Sequence, residues 1–64
     1  MERKKRLVVI EKMIDESSVS ELLEDIGTIC HEKSQHIYEN WQDPDAAHIW
    51  RKAGNKIFKC VDSL

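Results

Sequence analysis

Apolar residues recur every three or four positions across the middle of the chain, at Val19, Leu22, Leu23, Ile26, Ile29, Cys30, Ile37, Tyr38 and Trp41. That period is the signature of one face of an α-helix. Lys33 and Ser34 interrupt the stripe midway, and Gly27 lies inside it. Ser18 followed three residues later by Glu21 forms a capping box that starts the helix. Glu21, Glu24 and Asp25 then sit where the helix dipole favours negative charge.

The next boundary is Asp43-Pro44. Proline suits the first helical position, where its missing N–H leaves no bond unmade, and Asp43 before it is a good N-cap. Beyond it Ala47, Trp50, Ala53, Ile57, Cys60, Val61 and Leu64 repeat at helical spacing, flanked by Ile49 and Phe58, with Gly54 interior. His48, Lys52, Asn55, Lys56 and Lys59 fall on the opposite face. A connection this short makes the two helices antiparallel neighbours. Counting outward from Asp43 pairs Ile37 with Trp50, Cys30 with Ile57 and Gly27 with Cys60. The two interior glycines are either tolerated or mark close approach of the neighbouring helix.

The first segment is less decided. Leu7, Ile10 and Ile14 share a helical face with Met13 beside them, and good helix formers surround them. Leu7-Val8-Val9-Ile10 also fits a short strand. A short basic strand followed by two helices resembles the ribbon-helix-helix layout of dimeric DNA-binding proteins. In that layout the helix after the strand is much shorter than here, and a glycine-containing turn joins the helices, which this chain lacks. The pattern favours helix. The expected fold is therefore all-α: a single domain over 1–64 with helices at about 3–15, 18–41 and 44–62, a small antiparallel helical hairpin plus an N-terminal helix that closes one side. It is completed as a three-helix or a dimeric bundle.

Length sharpens the question of what completes the core. A 64-residue chain is marginal alone and commonly needs disulfides, a metal or oligomerisation. Two cysteines are too few for a disulfide scaffold, so self-association is the leading expectation. Only two Gly and one Pro suit long helices. No apolar run is long enough to span a membrane or to serve as a signal peptide, which places the chain in the cytoplasm with its thiols reduced. Trp50 and Phe58 opposite the lysines of the third helix would suit a membrane surface, but the hairpin needs the same residues.

Charge is uneven. Residues 1–17 carry net +1, residues 18–45 net −6 and residues 46–64 net +3. An acidic helix followed by a basic one sets pairing within or between chains more than it stabilises the fold. Arg3, Lys4, Lys5 and Arg6, with Arg51, Lys52, Lys56 and Lys59, form the basic positions that would contact phosphates in a nucleic-acid-binding protein. The acidic middle helix weakens that reading.

Candidate chemistry is sparse. Cys30, His31, His36, His48 and Cys60 are the soft metal ligands, but they lack the paired spacing of a zinc site. Glu32, His36 and Glu39 share an edge that falls short of the Glu-x-x-His pattern of bundle metal sites. Neither cysteine has an arguable base and cleft, and no glycine-rich phosphate loop exists. No cofactor, metal or catalytic set is expected. The expected function is a small non-catalytic protein-interaction or regulatory module, self-associating or docking on a larger protein. Leu22, Ile26, Ile29, Trp41, Trp50 and Phe58 are its interface candidates.

Overall fold

In a computed structural model, which describes residues 2–64, the chain forms three helices: α1 (Arg3–Glu16), α2 (Val19–Trp41) and α3 (Pro44–Asp62). Among the described residues there is no strand. Leu7–Ile10 lies within α1, which removes the ribbon-helix-helix layout.

Local chemistry sets the boundaries. Ser18 is extended and its Oγ accepts from the Glu21 amide at 3.1 Å. The return bond of the capping box, from the Ser18 amide to the Glu21 carboxylate, is not made. Asp43 caps α3 in the same way, its Oδ1 accepting from the Ala46 amide at 3.1 Å, with Pro44 at the first helical position. Between them Gln42 takes a left-handed conformation (φ 49°, ψ 41°) and its amide closes on the Tyr38 carbonyl at 3.1 Å. This is the helix-ending geometry usually given to glycine. α1 stops at Ser17, whose amide and hydroxyl both donate to the Met13 carbonyl.

α2 and α3 pack along their length as an antiparallel hairpin. Contact between α1 and α2 is slight, and between α1 and α3 there is none. α1 therefore does not close a side of the hairpin as expected, and it buries no residue of its own. The molecule extends 37 × 30 × 14 Å. The middle dimension exceeds two helices lying side by side with axes about 8–10 Å apart, because α1 projects away from the pair.

The core is small. Its buried positions are Gly27, Cys30 and Ser34 on α2, and Ala47 and Gly54 on α3. Interaxial distance follows the size of the residues at the contact. The seam thus forms where both helices carry their smallest side chains, and the large apolar residues are pushed to its flanks.

Of the expected pairs, Ile37 and Trp50 line one groove, but the pairing of Gly27 with Cys60 gives way to a different one. A Cβ on Gly27 would meet the Phe58 ring, and one on Gly54 would meet the His31 ring and the Gly27 carbonyl oxygen. Gly27 thus faces Phe58 and Gly54 rather than Cys60, and Cys60 is exposed. Both glycines mark close approach.

Candidate interaction surface

Rotation about α2 separates two sets of residues. At about 100° per residue, Gly27, Cys30 and Ser34 lie on one line and Leu22, Ile26, Ile29, Lys33 and Ile37 on another, roughly a quarter-turn away. The first line meets α3. The second is the side of the hairpin.

The seam is held by shape and by two polar links. Gly27 and His31 are four residues apart on α2, as are Gly54 and Phe58 on α3. Each ring settles over the glycine of the other helix: the Phe58 edge lies 2.9 Å from where a Gly27 Cβ would stand, and the His31 ring 2.5 Å from that of Gly54. The two rings then pack against each other, centroids 5.3 Å apart and tilted by 51°. His31 Nε2 lies 2.9 Å from Asn55 Oδ1, which only accepts, so the imidazole donates there. Nearer the turn, Ser34, only 2% exposed, donates from Oγ to the Ala47 carbonyl at 2.6 Å. Ser34 is thus the most buried polar group rather than an interruption of the apolar stripe. Every buried side-chain polar atom among the described residues has a partner.

The interface candidates separate accordingly. Phe58 is drawn into the seam and Leu22 is half-buried. Ile29 and Trp50 come together across the two helices in an open groove, joined by Glu32, Lys33, His36 and Ile37. Lys33 Nζ stands 5.4 Å from the centroid of the Trp50 ring, a cation–π contact that fixes one wall of the groove. Ile26 is exposed on the same line of α2. Trp41, 74% exposed, stands at the end of α2. Expected on an apolar stripe beside Trp50, it leaves its indole in solvent.

The basic positions are all exposed. Arg3, Lys4, Lys5 and Arg6 make the first turn of α1, while Arg51, Lys52, Lys56 and Lys59 lie along α3. Arg51 and Lys52 border different depressions, Arg51 with Tyr38 and His48, and Lys52 with Ile49 and Lys56.

Three of the residues weighed as metal ligands are engaged in hydrogen bonds. His31 is engaged with Asn55. His36 Nδ1 accepts from Asn40 Nδ2 at 3.1 Å, and Glu39 accepts from Gln35 at 2.9 Å. Cys30 is buried and Cys60 exposed, both as free thiols. Among the described residues no three His, Cys, Asp or Glu side chains converge as a metal site would require. None of the described helices is long and apolar enough to cross a membrane.

Comparison with known protein families, curated proteins and solved structures yields no match.

The roles of His31 and Ser34 were not read from the sequence. For His31 one signal was present: the same Gly-x-x-x-ring spacing occurs in α2 and α3, at Gly27–His31 and Gly54–Phe58.

Proposed function

We propose that this chain is a small non-catalytic protein-interaction or regulatory module of the cytoplasm, acting through apolar surface that its own fold leaves uncovered. One observation carries the reading. Among the described residues the buried hydrophobic core is Cys30 and Ala47 alone, while Leu7, Val8, Val9, Met13, Ile26, Ile29, Tyr38, Trp41, Ile49 and Trp50 are exposed. Isolated exposed apolar residues are ordinary, but large ones concentrated on a 64-residue chain mark surface meant for contact. The hairpin supplies a rigid frame, and the Ile29–Trp50 groove offers the aromatic anchor typical of binding hot spots.

The test is solution mass by light scattering over a dilution series, with tryptophan emission read on the same samples. The reading expects either mass above the monomer that falls on dilution, or a monomer with red-shifted, solvent-exposed tryptophan. A monomer at every concentration with blue-shifted emission would overturn it, because the apolar surface would then be closed within one chain.

A second reading, nucleic-acid binding through Arg3, Lys4, Lys5, Arg6, Arg51, Lys52, Lys56 and Lys59, draws on the exposure of all eight. It expects retention on heparin at about 50 mM salt that falls steeply as salt rises. No retention at that salt removes it.

A further inference from the structure

α1 carries its charges in the wrong order for an isolated helix. Arg3, Lys4, Lys5 and Arg6 fill its first turn, and Asp15 and Glu16 end its last. The helix dipole favours the reverse arrangement at both ends. Its N-cap, Glu2, makes no side-chain capping bond. The N-termini of α2 and α3 show the opposite pattern, capped and with Glu21 and Asp45 in their first turns, and Lys59 lies in the last turn of α3. A 14-residue helix with reversed charges, no cap and little tertiary contact is marginal in water.

The apolar residues of α1 are equally unprovided for. At about 100° per residue, Val9, Met13, Ile10, Ile14 and Leu7 fall in sequence around one broad face. Ile10 and Ile14 are half-buried, whereas Leu7, Val9 and Met13 are exposed. α2 touches α1 only slightly and α3 not at all, so most of that face is left uncovered.

We infer that the occupant of this face is α1 of a second copy of the chain, packed antiparallel about a two-fold axis near Ile10. This rests on the interaction reading above and names its partner. Charge decides both occupant and direction. In an antiparallel pair the basic first turn of each copy lies against the Asp15–Glu16 end of the other, so each copy supplies what the other's helix ends lack. A parallel pair would set Arg3–Arg6 against Arg3–Arg6. One edge of the face agrees with the antiparallel choice. At about 100° per residue, Lys5 and Glu16 lie together at one edge of the apolar face, whereas Lys4 and Asp15 fall on the outer side of the helix beside Val8. Like edges meet in an antiparallel pair, so Lys5 of each copy comes beside Glu16 of the other. In the same register Leu7 meets Met13, and Ile10 meets its own counterpart. Such an interface is self-complementary, as a two-fold contact must be. The helix is about 21 Å long at 1.5 Å per residue, so the contact is short and the dimer dissociates on dilution.

The test uses the full chain in light scattering across a dilution series at low salt, with four proteins. The wild type is expected to dimerise reversibly. Reversing the first turn (Arg3→Glu, Lys4→Glu, Lys5→Glu and Arg6→Glu together) should weaken self-association at least about ten-fold. It should also raise the helicity of the monomer, because acidic residues then occupy the helix N-terminus. Reversing the other end (Asp15→Lys with Glu16→Lys) should weaken it likewise. A mixture of these two variants should recover the dimer as a heterodimer, and so should one chain carrying all six substitutions. Slow thiol labelling of buried Cys30 beside fast labelling of Cys60 verifies in each variant that the hairpin is intact. A wild-type dimer indifferent to these reversals would overturn the α1 interface while leaving the interaction reading standing. A wild-type monomer with exposed tryptophan would overturn the second copy as partner. A monomer with buried tryptophan would overturn both.

Discussion

The hairpin and the N-terminal helix are made of similar residues and have opposite fates. α2 and α3 begin at side-chain caps, place acidic groups in their first turns, and meet along a seam of Gly27, Cys30, Ser34, Ala47 and Gly54. α1 begins without a cap, on four basic residues, and fully buries none of its residues. The difference teaches that apolar content does not decide what becomes core. Leu7, Val8, Val9, Ile10, Met13 and Ile14 are more hydrophobic than the five seam residues. The seam residues are buried because they are small enough to let two backbones approach, and because His31 and Phe58 fill the space left above the glycines.

Four substitutions sharpen or break this contrast, and each is read by urea or thermal unfolding. The largest effect is expected at Gly54→Val. The Cβ alone would stand 2.5 Å from the His31 ring and 3.1 Å from the Gly27 carbonyl oxygen. The ring can shift only by giving up Asn55, and the backbone of α2 cannot yield without opening the seam. Overpacking of this kind costs about 3 kcal/mol, and a cost near zero would mean that the helices are not in close contact. Next is Ser34→Ala, which leaves the geometry intact but removes a buried side-chain link across the hairpin. A loss of about 1 kcal/mol is expected. Gln42→Gly should act in the other direction. Relief of a left-handed non-glycine residue at the end of α2 is expected to stabilise by about 0.5–1 kcal/mol. The smallest effect is assigned to Leu7→Ala. At concentrations where the chain is monomeric it should alter stability by no more than about 0.5 kcal/mol, as expected for an exposed position. A loss of about 2 kcal/mol or more, typical of a buried leucine, would place α1 in the core and erase the contrast.

The helices themselves were legible because their signals are local. Ser18, Asp43 and Pro44 announce their boundaries, and the three- and four-residue spacing of apolar positions does the rest. α1 was legible as a helix more than as a strand because the Arg, Lys and Glu residues around Leu7–Ile10 outweigh the β-branched Val8, Val9 and Ile10. The packing was harder to read, since periodicity ranks residues by hydrophobicity and the seam is chosen by size. On that ranking Ser34 interrupts a stripe, and Gly27 and Gly54 are either tolerated or points of close approach, whereas all three are buried at the contact. Cys60 ranks as core and is exposed, because the Phe58 ring occupies the place opposite Gly27. The detachment of α1 could be sensed from its reversed charges, but whether one chain covers its apolar face depends on a tertiary arrangement that no local pattern encodes. For the interaction surface, residue type singled out Ile29 and Trp50. Only the folded hairpin brings them into one groove with Lys33 against the indole.

The hairpin holds itself together, and α1 is proposed to gain its order from a second chain. Amide hydrogen exchange of the full protein, resolved by residue and repeated across a dilution series, tests both directly. Amides of α2 and α3 on either side of the seam should be protected to the same degree at every concentration. Amides of α1 should exchange almost freely in dilute solution and gain protection as concentration rises. Protection of α1 equal to that of the hairpin in the most dilute monomeric sample would contradict the account, because α1 would then be held by its own chain.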